Sequence, residues 1–182
     1  MLRSRRAIID AAVDSLVEHG FGGTTIEAIA ARSGAAKTTI YRHWPDRRAV
    51  LLAAVESIVP TAEAADTGSL RGDLTSFAHD LDRVLHATPT SALIPGLIEA
   101  AERDPELARA LADFTAKRRR PIHAAVARAV TRGEAPAGTD PELVADLLLG
   151  PLFYRRLLSR EPLTDAFIDQ VTTAVLATLN AG

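Results

Sequence analysis

The stretch TIEAIAARSGAAKTTIYRHW, residues 25–44, decides the fold of the N-terminal part of the chain. Its apolar residues recur three or four apart, which predicts two short helices, and Gly34 suits the tight turn between them. Such a pair forms a helix-turn-helix, whose second helix lies in a DNA major groove. Ile40 and Trp44, four residues apart, are expected to pack inward, so the opposite face of that helix is free to contact bases.

Polar and basic side chains crowd that opposite face. The candidates for DNA contacts in the second helix are Lys37, Thr38, Thr39, Tyr41, Arg42 and His43. Thr24 and Thr25 at the start of the first helix, together with Arg47, can hydrogen-bond phosphates, and such contacts set register rather than sequence preference. For His43 and Thr38 the alternative interpretation is simple exposure to solvent.

Helical periodicity continues on both sides of this stretch, so a sheet has no obvious place to form. The first helix is expected to end at Gly20, the spacing from Thr24 to Glu27 is that of a capping box, and Asp46 is expected to cap a fourth helix. Bends or breaks are expected at Pro121 and at Gly150-Pro151. The remaining helices are predicted over residues 73–87, 91–103, 105–132, 141–159 and 165–180.

The composition excludes several classes of protein. The chain has 182 residues, of which 47% are hydrophobic, and no cysteine, so it is neither a disordered chain nor a disulfide scaffold. Residues 1–50 hold eight basic and five acidic side chains, whereas residues 51–182 hold thirteen and eighteen. A basic head therefore precedes an acidic body. The absence of a long apolar run predicts a cytoplasmic location with no membrane partner.

One set of positions in the N-terminal part of the chain matches the sequence pattern of a known family: Ala11-Ala12, Gly20-Phe21, Thr24-Thr25, Ile29-Ala30, Gly34, Lys37, Thr39-Ile40-Tyr41, His43-Trp44-Pro45 and Arg47. In these residues the chain resembles the bacterial transcriptional regulators of the tetracycline-repressor (TetR) type. It implies DNA contacts by Thr25, Lys37, Thr38, Thr39, Tyr41, Arg42, His43 and Arg47, with Tyr41 typically against the backbone. Ala36 and Trp44 depart from the family pattern, which often has a serine or charged residue and usually has a phenylalanine at these positions.

The resemblance also implies the architecture: an all-α fold of about nine helices, with a three-helix head and a larger helical body. The helix-turn-helix DNA-binding domain would span residues 1–47 and the ligand-binding and dimerisation domain residues 48–182, with helix four, 46–59, connecting them. By the same resemblance the last two helices pair with those of a second subunit. Their apolar content agrees, and the predicted interface residues are Leu147, Leu148, Leu152, Phe167, Ile168, Val171 and Val175.

The body is also expected to hold an effector. The core side chains that are candidates for lining an apolar cavity are Phe77, Leu81, Leu97, Ile98, Phe114, His123 and Tyr154. The basic run Lys117–Arg120 is interpreted as a solvated helix face rather than a second nucleic-acid patch.

The leading hypothesis is therefore a homodimeric, sequence-specific DNA-binding repressor that a small molecule releases from an inverted-repeat operator. No metal, cofactor or catalytic activity is expected, because no catalytic motif occurs. Two alternatives stay open. One is a small helical metal-dependent enzyme that uses His79, Asp82 and His86; the other is a DNA-binding regulator controlled by a protein partner.

Overall fold

The computed structural model describes residues 2–59, 64–87 and 90–179, and these residues contain nine α-helices, one π-helical segment and no strand. The all-α prediction is confirmed. The helices are α1 Leu2–Gly23, α2 Ile26–Ser33, α3 Lys37–His43, α4 Arg47–Ile58, α5 Leu70–His86, α6 Thr90–Arg103, α7 Pro105–Arg132, α8 Pro141–Phe153 and α9 Asp165–Leu179, and the π-helix Tyr154–Ser159 continues α8. None of the helices so described is long and apolar enough to cross a membrane.

The chain divides into two compact units. Unit 1 comprises residues 1–60 and 86–114, and unit 2 comprises residues 61–85 and 115–182. In unit 1, α1 packs against α2, α4 and α6 around fully buried aliphatic side chains such as Ile8, Leu16 and Ile29. In unit 2, α8 packs against α9. Because residues 86–114 cluster with the N-terminal helices, the boundary between residues 47 and 48 stays a prediction.

Local signals set the ends of the first helices. Gly20 leaves the helical conformation with φ +66°, at the position where the sequence predicts the end of α1, so α1 kinks there before its last residues, 21–23. The cap of α2 is Thr25, whose hydroxyl oxygen accepts from the N–H of Ala28 at 3.1 Å, so the predicted capping box from Thr24 to Glu27 is wrong by one residue. Asp46 caps α4 as predicted, accepting from the N–H of Ala49 at 2.8 Å.

The helix α5 starts at Leu70, three residues before the predicted start at Asp73. The carboxylate of Asp73 is buried and turns back to accept from the N–H of Thr67 at 2.7 Å, and it pairs with Nη2 of Arg128 on α7 at 2.8 Å. Burial by itself raises the pKa of Asp73, but the bonds from Thr67 and Arg128 outweigh burial and hold that pKa below its ordinary value. Asp73 therefore fastens α5 to α7 instead of capping its own helix.

The prolines act differently from one another. The helix α7 runs through Pro121 without a break, so of the two expected outcomes the break is wrong and the bend stays a prediction. Beyond Pro151 the helix continues into the π-helical segment, and at the junction the N–H of Tyr154 donates to the carbonyls of both Gly150 and Pro151. The segment ends at Arg160, which has a left-handed conformation with φ 59°. The predicted end of α9 at residue 180 lies outside the described residues.

Candidate nucleic-acid interface

The turn between α2 and α3 presents the second helix to solvent along one side. Gly34 ends α2 with φ +68°, a left-handed conformation that glycine adopts without strain. Ile40 is fully buried and Trp44 nearly so, as predicted. On the opposite side the exposed residues are Lys37, Thr38, Tyr41 and Arg42, while Thr39 and His43 are half-buried. Tyr41 is notable because it is a large aromatic residue and is nevertheless 50% exposed to solvent.

Lys37 at the start of α3 is held by α2. Its Nζ lies 2.5 Å from Oε1 of Glu27, and both side chains are exposed. The hydrogen bond from Lys37 lowers the pKa of Glu27, so this carboxylate stays ionised near neutral pH. A phosphate that approaches Lys37 would therefore compete with Glu27 for the positive charge of Lys37.

Two of the predicted phosphate contacts serve the fold instead. Thr24 is fully buried, and its hydroxyl donates to the carbonyl oxygen of Gly20 at 2.8 Å. Thr24 is therefore corrected from a DNA contact to a residue that closes α1. Arg47 is half-buried, and its Nε donates to the carbonyl oxygen of Thr24 at 2.5 Å, which fixes the start of α4 against the turn before α2. Its Nη2 is buried and has no hydrogen-bond partner within the described part of the chain.

Arg48, the neighbour of Arg47, has a role that no sequence motif indicates. Its Nη1 lies 3.0 Å from each carboxylate oxygen of Asp104, and it also contacts Glu106. Asp104 in turn caps α7 by accepting from the N–H of Leu107 at 3.2 Å. Burial by itself raises the pKa of Asp104, but the backbone N–H groups and Arg48 outweigh it and lower that pKa. A separation of 56 residues hides this pair from any local sequence signal.

The predicted cavity-lining residues divide between the two units, and two of them are corrected. Ile98 in unit 1 and Tyr154 in unit 2 lie on the surface, the latter 61% exposed, so they do not line an enclosed cavity. Leu97 and Phe114 are buried in unit 1, and Leu81 is half-buried in unit 2.

Within unit 2, Phe77 lines a cavity of about 10 Å³ together with residues of α5 and α7 that include Asp73 and Ile122. That volume holds about one water molecule. His123 is half-buried, with Nε2 lying 3.2 Å from Oε1 of Glu142. The assignment of Phe77 and His123 to an effector site stays a prediction.

The predicted dimer interface needs a larger correction. Five of its seven residues are buried inside the chain itself: Leu148, Leu152, Ile168, Val171 and Val175. All five are buried within the chain, in which α8 packs against α9, so they do not form a surface for a second chain. Phe167 is half-buried under the guanidinium of Arg155, whose Cζ lies 4.1 Å from the ring centroid. The exposed apolar residues of α8 and the π-helix are Leu143, Leu147, Tyr154 and Leu158.

Other candidate residues do not converge on a reactive site. The His, Cys, Asp and Glu side chains in the described ranges form no group of three or more that could hold a metal ion. His79 faces Asp165 of α9 instead, with Nδ1 3.9 Å from Oδ1. In the basic run 117–120, Arg119 is paired 2.8 Å from both Glu142 and Asp146 on α8, in line with its interpretation as part of a helix face.

The geometry of α2 and α3 defines the class as helix-turn-helix DNA-binding proteins, and comparisons with known proteins give the family. Residues 8–54 match the model described as bacterial regulatory proteins, tetR family, and residues 64–175 match the tetracyclin repressor-like C-terminal domain. The chain therefore belongs to the TetR family of bacterial transcriptional regulators.

Individual relatives agree with this assignment. The DNA-binding transcriptional repressor TetR of Mycobacteroides abscessus is 35% identical over 176 residues, which are 95% of this chain and 92% of that protein. The crystal structure of the TetR family transcription regulator SCO0332 is 31% identical with a TM-score of 0.74, covering 96% of this chain and 97% of that one. The regulator FadR from Bacillus subtilis in complex with stearoyl-CoA shares the fold at 19% identity, with a TM-score of 0.65 and coverage of 97% and 98%.

These findings make the chain a DNA-binding transcriptional regulator with a helix-turn-helix. Families of such regulators are generally not enzymes. Neither the metal-dependent enzyme nor control by a protein partner is favoured by the comparisons.

Proposed function

We propose that this regulator is a cytoplasmic, non-enzymatic repressor that binds an inverted-repeat operator as a homodimer and leaves it when a small molecule binds to the helical body. The observation that carries the proposal is the division of α3 into a buried side, with Ile40 and Trp44, and an exposed polar side. The proposed DNA contacts are Thr25, Lys37, Thr38, Thr39, Tyr41, Arg42 and His43. Arg47 is proposed as a residue that positions the start of α4.

A second subunit is needed to place two copies of α3, the proposed reading helix, in successive major grooves, about 34–36 Å apart. We propose that it packs on the stripe Leu143, Leu147, Tyr154 and Leu158, which replaces the interface expected from the sequence. These four side chains are 36–68% exposed, and successive members of the stripe are separated by one or two helical turns. Exposed aliphatic and aromatic groups in such a row favour burial against another chain.

The proposed effector is an apolar small molecule. Stearoyl-CoA is the molecule held by FadR from Bacillus subtilis in its complex, and it supports only the class of ligand here. Phe77, Leu81 and His123 are the proposed contacts in unit 2. His123 offers a polar handle, because its half-buried ring lies beside a carboxylate, with Nε2 3.2 Å from Oε1 of Glu142. A ligand that binds one body conformation better than the other changes operator affinity by its differential binding, typically about 1–3 kcal/mol.

The test is an electrophoretic mobility shift with duplex DNA that flanks the coding region of this chain, at moderate salt and with excess competitor DNA. The proposal expects a specific complex with nanomolar affinity. Tyr41→Ala should weaken that complex by about tenfold or more. Thr131→Ala, which alters an exposed threonine of α7, is the matched control and should leave it unchanged. Failure of any specific complex to form, or equal affinity of the Tyr41 variant, would contradict the proposal.

A further inference from the structure

The start of α1 carries basic side chains that the proposed contacts of α2 and α3 leave unused. The guanidinium carbon of Arg5 lies 5.5 Å from the ring centroid of Trp44, and Trp44 is the residue that caps the C-terminus of α3. Arg5 is exposed, and it has no acidic partner among the residues described by the structure. The first turn of α1 therefore lies beside the end of the proposed reading helix.

Arg6 adds a second charge at the same place. Its side chain is 86% exposed, and its nearest acidic neighbour is Asp10, with Nε 3.8 Å from Oδ2. Both members of this pair are in solvent, so salt screens their attraction and a phosphate can replace Asp10 at little cost. The charge of Arg6 therefore contributes little to the stability of the fold and is available for a ligand.

The dimensions of DNA indicate what lies next to this turn. An α-helix with its side chains is about 10–12 Å across, and the major groove of B-DNA is about 12 Å wide. A helix seated in the groove thus fills it from wall to wall, and the walls are the two phosphate backbones. Groups that flank the end of α3 outside the groove then face phosphates rather than base edges.

We infer that Arg5 and Arg6 contact backbone phosphates at the edge of the groove occupied by α3, and so extend the DNA-binding surface beyond the helix-turn-helix. The inference rests on the proposed function. Arg5 suits the role because a guanidinium that stacks on an aromatic ring keeps its N–H edges free to donate to oxygen. The ring of Trp44 holds the guanidinium in place, which reduces the freedom that it loses on binding.

The experiment measures operator affinity of the full-length chain between 50 and 200 mM salt. Each lost phosphate contact should make the slope of log K against log salt shallower by about 0.9. We expect this for Arg6→Ala and for Arg5→Met, in which the unbranched side chain still covers Trp44. Between 50 and 200 mM salt, the factor by which affinity falls should be about twelve times smaller for the double variant than for the unchanged chain. Arg5→Lys keeps the charge and should keep the slope.

Arg109→Ala removes an exposed arginine of α7 and is the matched control; its slope should equal that of the unchanged chain. Thermal melting of each variant shows whether it is folded, and Arg6→Ala tests the inference independently of Trp44. The same loss is expected on operator and on unrelated DNA, since phosphates carry no sequence information. Unaltered slopes in both single variants overturn the inference, and so does a loss confined to one flanking sequence. If the unchanged chain binds no operator, the proposed function fails first and the inference falls with it.

Discussion

Arg48 of α4 and Asp104 at the start of α7 form a two-point contact, in which one guanidinium nitrogen lies 3.0 Å from each carboxylate oxygen. Both residues belong to unit 1. Arg48 follows the last residue of α3 by five residues, and Asp104 caps α7, the helix that contributes residues to both units. A displacement of the first turn of α7 therefore acts directly on α4, the helix that follows α3.

A double-mutant cycle tests this contact. Arg48→Ala and Asp104→Ala should each lower the Tm by a few degrees, and the double variant should lose less than the two single losses together, because both remove one shared contact. Arg109→Ala should leave the Tm unchanged. Strict additivity of the two losses would show that the contact does not contribute to stability.

The buried carboxylate of Asp73 should matter more than any surface charge. Asp73→Asn removes a charge that is bonded to Thr67 and Arg128, and it should lower the free energy of unfolding by about 2–3 kcal/mol. The corresponding loss in Tm is about 4–12 °C for a chain of this size. Asp66→Asn is the control, since Asp66 lies 3.6 Å from Nε of the same arginine but is exposed, and its change should stay within about 0.5 kcal/mol. Equal losses in the two variants would count against the buried pair.

The free energy of unfolding should depend on pH through the same carboxylate. Because the pKa of Asp73 is lower in the folded chain than in the unfolded one, the unfolded chain takes up the proton first as pH falls. The stabilisation is therefore complete above the unfolded pKa of about 3.9 and is lost progressively below it. Urea unfolding followed from pH 6 to pH 3 should show a smaller decline for Asp73→Asn than for the unchanged chain. Parallel declines would contradict the assignment.

The exposed stripe on α8 predicts how the dimer can be broken. Leu147→Glu should place a charge within the proposed interface and give particles with the mass of the single 19.4 kDa chain in light scattering. Thr131→Glu puts the same charge on an exposed position of α7 and should leave the mass of the dimer unchanged. Leu148→Glu should instead unfold unit 2, because Leu148 is fully buried within the chain. A dimer that survives Leu147→Glu would place the interface elsewhere.

The turn before α3 predicts a cost for any side chain at Gly34. A Cβ there would meet no atom within 4 Å, so Gly34→Ala tests the backbone alone. The left-handed conformation should cost alanine about 1–2 kcal/mol and weaken operator binding, since this turn sets the position of α3. Gly138→Ala, in a loop with equal space but no left-handed conformation, should be neutral or slightly stabilising. Equal stability of the two variants would refute the role of Gly34.

The sequence predicts those features whose signal is local. Gly34, the cap at Asp46 and the inward pair of Ile40 and Trp44 depend on neighbours within one or two turns, and the structure confirms them. Thr24 and Thr25 show how far a local signal can be used. Either hydroxyl suits a helix start, and only the path of the backbone decides which of the two is buried and which caps α2.

Long-range partners could not be predicted. The apolar pattern of α8 and α9 indicates that one face of each helix is covered, yet it does not say whether the cover is the neighbouring helix or a second chain. Leu148 and Ile168 are therefore core residues where an interface was predicted. In the same way the charges of Arg48 and Asp73 are visible in the sequence, whereas their partners Asp104 and Arg128 are set by the fold.

Trp44 is the single tryptophan of the chain, and it lies under Arg5 with the ring of His43 at its edge, 5.5 Å between centroids. Its emission therefore originates from one known place, at the end of the helix proposed to enter DNA. When a phosphate binds to the guanidinium that lies over the indole, the intensity or wavelength of that emission should change. The protein thus contains its own unlabelled optical reporter of operator occupancy.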